Sequence, residues 1–215
     1  MKVPLYKKIL SYLAPVWIER GHSRENPDLE LLLYKGRWQL ATNDAIYSDA
    51  DKYTPILAAY KALEDKLPAV KKALVLGSGL GSAVQIMGGK GYSPDFTLVE
   101  NDEQVLAWAK ELMPAYGGNV KMIKADAMFY MDIDREKYDL LIVDVFRGRE
   151  VPDFVTTRPF MENCRAHINE GGSFVLNYII EEDQRWLKLK LILNEVFPGH
   201  EAIKEGINRI IAATV

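Results

Sequence analysis

The stretch ALVLGSGLGSAVQIM, residues 73–87, constrains this chain more than any other. Residues 73–76 are uniformly apolar, which suits a strand buried on both faces of a parallel sheet. Gly77, Gly79 and Gly81 interrupt the run, and a helical apolar spacing follows. Without Cβ atoms such a turn can bend sharply and let its backbone approach a ligand. Strand, glycine turn and helix in that order open a βαβ unit, the building block of doubly wound sheets.

The rest of the chain repeats the alternation. Strand patterns recur at 95–100, 119–124, 138–144 and 172–178, and helical spacing at 80–88, 102–113, 156–168 and 182–196. The closing HEAIKEGINRIIAATV adds two short strands about residues 206–208, expected to be antiparallel. The expectation is an α/β fold: a doubly wound, mostly parallel, seven-stranded Rossmann-like sheet. It starts near Thr54, where TPILAAYKALEDKLP combines a capping residue, a first-turn proline and apolar spacing of three and four. Ahead of it, residues 3–19 have helical spacing broken at Pro15, and two apolar runs within 29–49 flank Lys35 and Gly36 as in a β-hairpin. The expected division is an N-terminal helix and small β-hairpin unit at 1–53 and a nucleotide-binding domain at 54–215.

Composition narrows the function classes. A single cysteine, Cys164, excludes an intramolecular disulfide and fits a reducing cytoplasm. His22, His167 and His200 lie far apart in sequence, so no metal site is expected. No 18-residue apolar run suits a membrane span, and a net charge of −3 without a basic block argues against nucleic acid. A cytoplasmic protein acting on a small molecule is expected, with neither membrane nor nucleic acid as partner. Cys164 and Trp108 sit at apolar helical positions and read as core.

Ligands of such sheets bind beyond the carboxyl ends of the strands. Three acids occupy those places: Glu100 in LVEND, Asp126 in IKADAMF and Asp144 in LLIVDVF. Glu100 is placed to accept from both hydroxyls of a ribose, Asp126 from the exocyclic amine of adenine, and Asp144 stands beside the reacting end. Taken alone, a glycine loop is often just a tight turn and a strand-end acid often a helix cap; the glycine loop and the three acids together, on four successive strand ends, read as an adenosine-nucleotide site. Ser82 takes the third small position of a dinucleotide fingerprint, and no Gly-Lys-Ser/Thr follows the glycines. Both facts favour an S-adenosyl nucleoside over NAD or a P-loop phosphate.

With those residues in view, the chain resembles the spermidine synthases, or polyamine aminopropyltransferases, within the S-adenosylmethionine-dependent methyltransferase superfamily. The resemblance covers about residues 30–180. GRWQLATNDAIYSDADKYTPI looks like the family's hairpin signature, with Gln39, Asp44, Tyr47 and Asp49 in its recurring positions. It implies that Gln39 touches the nucleotide, that Gly77, Gly79 and Gly81 line its thioether, and that Tyr47 and Asp49 bind the acceptor. It implies too that Asp144 is the catalytic acid that orients and deprotonates the attacking amine. A homodimer is the family habit.

Two departures shape the expected reaction. Leu80 stands where the family's glycine loop carries an Asp that grips the amine of decarboxylated S-adenosylmethionine. Arg147, with Arg149 close behind, stands where the family has a second acid for the cationic acceptor. Like charges about 4 Å apart repel by about 1 kcal/mol in water and more in a cleft. The sequence alone therefore favours ordinary S-adenosylmethionine and methyl transfer to a small acceptor, with Arg147 in the acceptor site. Aminopropyl transfer from decarboxylated S-adenosylmethionine to a diamine, leaving methylthioadenosine, is the alternative. A non-catalytic nucleotide-binding protein is a third reading.

Overall fold

A computed structural model describes residues 1–43, 45–113, 119–180 and 182–215. The chain opens with helix α1 (Leu5–Leu10), then strands β1 (Val16–Gly21), β2 (Leu29–Tyr34), β3 (Arg37–Ala41) and β4 (Ile46–Ser48). These form one antiparallel sheet in the order β1-β2-β3-β4. The β2–β3 turn falls on Lys35 and Gly36, whose φ angles of 50° and 74° are the doubly positive pair that matches strand twist in a two-residue hairpin. Ser11 steadies that turn by accepting the Lys35 N–H at its carbonyl, 2.7 Å away, and the Gly36 N–H at its hydroxyl, 3.2 Å away.

The helical expectation for 3–19 holds only to Leu10. Past Pro15 the chain is strand β1, paired antiparallel to β2, so the expected hairpin is the centre of a four-stranded sheet. The physical reason is pairing: β2 is buried along nearly its whole length and needs a strand on each edge.

The second sheet contains β5 (Lys72–Leu76), β6 (Asp95–Glu100), β7 (Val120–Lys124), β8 (Tyr138–Val143), β9 (Ile168–Ile179), β10 (Glu201–Glu205) and β11 (Asn208–Thr214). Its order is β10-β11-β9-β8-β5-β6-β7. Strands β5 to β9 pair in parallel, whereas β11 runs antiparallel to both β9 and β10. Among the described residues six α-helices follow Tyr53: α2 (Thr54–Ala62), α3 (Ser82–Gly89), α4 (Glu103–Leu112), α5 (Ala127–Ile133), α6 (Arg158–Ala166) and α7 (Asp183–Val196). Helix α5 was absent from the sequence reading. It is short, and it buries Ala127, Tyr130 and Met131 at helical spacing.

Strand β5 shows why the sheet is covered on both faces. Leu74 and Leu76 join a core with Tyr130, Phe160 and Leu193, while Ala73 and Val75 join one with Ile56 and Val84. A third core, of Leu29, Leu31, Leu40, Leu80, Val105, Trp108 and Leu112, packs the N-terminal sheet onto α4 and the glycine turn. Cys164 and Trp108 are buried as their spacing indicates. The sheet reverses direction of growth at β5, and the N-terminal sheet roofs that switch point.

Candidate functional site

A cavity of about 420 Å³ opens at the carboxyl ends of β5, β6 and β8, in the range of small-ligand sites. Gly77 and Gly79 form one wall. A Cβ on Gly77 would stand 2.2 Å from the Asp144 carbonyl oxygen, and its φ is +79°, so only glycine lets the ends of β5 and β8 close together here. Gly81 and Gln39 do not line the cavity. Gly81 begins α3 with φ 85°, and a Cβ there would meet Met113. Gln39 lies behind the wall, donating through Nε2 to Asp49 Oδ1 at 2.8 Å, with Arg37 Nε 3.7 Å from the same oxygen. Asp49 itself lines the cavity, as do Tyr47, Glu100, Asp126, Asp144 and Arg147. Asp44 lies outside the described residues.

Glu100 ends β6 and accepts the Gly79 and Asp102 N–H groups, each at 3.0 Å. Desolvation outweighs those bonds and pushes its carboxyl up to about 7. Asp126 accepts the Phe129 N–H at 3.1 Å, so it caps α5 while facing the cavity. Both acids therefore hold local structure while lining the cavity.

Asp144 follows β8 and receives a hydrogen bond from Asn177 Nδ2 at 2.8 Å and another from the Tyr53 hydroxyl at 3.3 Å. Burial still raises its carboxyl to about 6 against those two bonds. Tyr53 and Asn177 were missed in the sequence. A polar signal existed for Asn177, which interrupts the apolar run FVLNYII and is 2% exposed. Tyr53 carried none, being one aromatic before a helix.

The rim was also illegible in the sequence. Asp102 caps α4 through the Gln104 and Val105 N–H groups and also accepts from Ser23 Oγ and Asn26 Nδ2. Asn26 Oδ1 accepts from the Tyr47 hydroxyl at 2.9 Å, and the Tyr47 oxygen accepts the Gly148 N–H. This chain of bonds ties the end of β6, the N-terminal sheet and the loop after β8 across the mouth. Outside it, Arg147 Nη2 lies 3.4 Å from Glu25 Oε2. Among the described residues six carboxylates line the cavity, from Glu25, Asp49, Glu100, Asp102, Asp126 and Asp144, against three cations, from Lys52, Arg147 and Arg149. Such a lining suits a cationic ligand.

Residues 52–212 match the family model described as the spermine/spermidine synthase domain. The polyamine aminopropyltransferase of Neisseria meningitidis is 33% identical over 112 residues, which are 50% of this chain and 42% of that protein. That of Chromobacterium violaceum is 32% identical over 133 residues, 60% of this chain and 50% of that protein. The chain thus spans about half the length of the curated relatives it matches. The crystal structure of spermidine synthase from Thermotoga maritima superposes with a TM-score of 0.72 at 14% identity, covering 92% of this chain and 72% of that one. A probable spermidine synthase from Corynebacterium glutamicum gives 0.72 at 19% identity, over 93% and 79% of the two chains. Human methyltransferase-like protein 13 gives 0.63 at 22% identity, over 75% and 79%. These likenesses show a shared Rossmann-like methyltransferase fold.

The expectation of methyl transfer is corrected by these matches, because the family model and the curated relatives are those of aminopropyl transfer. The two residues behind that expectation sit differently from what it required. Leu80 is fully buried in the core beneath the N-terminal sheet and does not line the cavity. Arg147 does line it, but its charge is paired with Glu25.

Proposed function

Since this chain belongs to the spermine/spermidine synthase family, we propose that it transfers the aminopropyl group of decarboxylated S-adenosylmethionine to a diamine. The observation that carries the reading is the desolvated Asp144 carboxylate, held by Asn177 and Tyr53 in a cavity whose acids outnumber its cations. A sulfonium nucleotide without a carboxylate and a dicationic amine both suit that lining, whereas the carboxylate of ordinary S-adenosylmethionine does not.

In the proposed reaction the amine gives its proton to Asp144, and the freed lone pair attacks the propyl carbon next to sulfur. A C–N bond forms as the C–S bond breaks, and the bonding pair leaves on sulfur, giving neutral methylthioadenosine. A base titrating near 6 is ionised at neutral pH, and a nearby ammonium favours the ionised form further. Glu100 would accept from the ribose hydroxyls and Asp126 from the adenine amine. The Gly77 and Gly79 backbone would flank the thioether. Tyr47 and Asp49 would border the acceptor, with Gln39 orienting Asp49 and Gly81 setting the start of α3.

A cytoplasmic homodimer completes the proposal. Among the described residues no helix is long and apolar enough to cross a membrane. Leu5, Ile9 and Leu13 are exposed near the N-terminus and offer a surface for self-association.

The test is incubation with decarboxylated S-adenosylmethionine and putrescine, with spermidine and methylthioadenosine followed by mass spectrometry. Equal amounts of both products are expected, and none from ordinary S-adenosylmethionine. A methylated acceptor, or no spermidine, would overturn the reading.

A further inference from the structure

The aminopropyl-transfer reading leaves one charge unaccounted for. A diamine brings two cations into the cavity. The reacting nitrogen meets Asp144; the far ammonium needs a carboxylate, because a desolvated charge left unpaired is costly.

Among the described residues, five of the six lining carboxylates are committed within the fold or to the reaction. Asp144 serves the reacting nitrogen. Asp102 accepts four hydrogen bonds and is 2% exposed. Glu100 is bonded to the Gly79 and Asp102 N–H groups, and Asp126 to that of Phe129 at the foot of α5. Asp49 is held by Gln39 and Arg37. Glu25 differs. Among the described residues its carboxylate meets only Arg147, at 3.4 Å.

Its position suits the acceptor end. The Ser23 N–H closes a turn on the Asn26 carbonyl at 2.8 Å, and the Ser23 hydroxyl and Asn26 amide anchor the turn on Asp102. Glu25 lies inside that turn and faces Arg147, three residues along the loop that Asp144 begins. The bond from Gly148 N–H to Tyr47 holds the loop against this side of the mouth.

We infer that Glu25 holds the far ammonium of the acceptor, and that Arg147 occupies its carboxylate until the acceptor displaces it. Arg147 is then an internal stand-in for the second cation. The exchange is cheap, since the Arg147 side chain is 66% exposed and exposed ion pairs contribute little net stability. Glu25 becomes the residue that separates diamines from monoamines, and Arg147 a competitor that moderates diamine affinity.

The experiment measures kcat/KM for putrescine and for n-butylamine, with decarboxylated S-adenosylmethionine, in the natural protein, Glu25→Gln and Arg147→Ala. Glu25→Gln is expected to raise the putrescine KM about tenfold or more while sparing n-butylamine, so that the preference collapses. Arg147→Ala is expected to lower the putrescine KM. Calorimetric affinity for methylthioadenosine should match the natural protein in both variants. A putrescine preference retained in Glu25→Gln overturns the assignment, as does a parallel loss of methylthioadenosine affinity or a weaker putrescine KM in Arg147→Ala. No product from either amine in the natural protein would overturn the aminopropyl reading and this assignment with it. Product with an unchanged preference would overturn the assignment alone.

Discussion

Asn177 stands beside Asp144 because Leu176 and Val143 are register partners on the parallel strands β9 and β8, and its Nδ2 donates to the carboxylate at 2.8 Å. Sheet register, not a loop, fixes the partner of the proposed base. A rigid donor of this kind holds the carboxylate in one orientation and opposes the upward push of burial.

Replacing that donor should move the base. In Asn177→Leu the carboxylate keeps its burial and loses its shortest hydrogen bond, so its pKa should rise above about 6. The acid limb of the kcat/KM–pH profile is expected to shift upward by about one unit, with activity falling several-fold at pH 7. Tyr53→Phe should shift it less, because the bond it loses is longer, at 3.3 Å. Profiles of the three proteins check this, and an unmoved limb would mean that another group titrates.

The same burial predicts a trade of stability for activity. Asp144 is raised from 3.8 to about 6, so between those values the folded protein holds a proton that the unfolded chain has released. Its contribution to stability is therefore full below about pH 4 and lost as pH rises through about 6. Asp144→Asn removes that loss, and at pH 8 it should stabilise the protein by roughly 2–3 kcal/mol while abolishing transfer. Thermal melts of both proteins at pH 4 and pH 8 should converge at the lower pH and separate at the higher.

Nucleotide binding should carry its own pH signature. Glu100 titrates at about 7 in the free protein, and ribose hydroxyls donate best to its ionised form. Methylthioadenosine affinity should rise through neutrality and fall up to about tenfold per unit below it, with proton release near pH 6.5. Glu100→Gln should flatten the profile and bind tenfold or more weakly at pH 8. Calorimetry in two buffers of different ionisation heat measures both effects.

How much of this the sequence disclosed depends on whether a feature was local. Strand β5 and the turn after it were legible because the apolar run 73–76 and three alternating glycines encode them within one short stretch of chain. The positions of Glu100, Asp126 and Asp144 at the cavity were legible for a related reason, since each stands at or just past the end of a strand and strand ends converge. Strand β1 was not, because its identity depends on pairing with β2 across a connection, and its own spacing mimics a helix. Tyr53, Asn26 and Glu25 reach the cavity only through contacts distant in the chain, with Asp144 and Asp102 for the first two and with Arg147 for the third.

Position 80 provides the sharpest test of the corrected picture. If Leu80 faced a ligand, Leu80→Asp would supply an anchor for an aminopropyl ammonium at little cost to the fold. Leu80 is instead fully buried, and its neighbours Leu29, Leu40, Val105 and Trp108 are apolar. A carboxylate there has no partner, and burying an unpaired charge or polar group costs several kcal/mol. For a chain of this size that is a fall in Tm of roughly 6–15 °C at pH 7.5. The fall should shrink near pH 4, where the new carboxyl is protonated, whereas Leu80→Met should melt within a few degrees of the natural protein. Decarboxylated S-adenosylmethionine affinity, measured below both transitions, is expected not to improve in Leu80→Asp. A variant that melted like the natural protein and bound that nucleotide more tightly would place position 80 in the cavity wall and overturn this packing of the glycine turn.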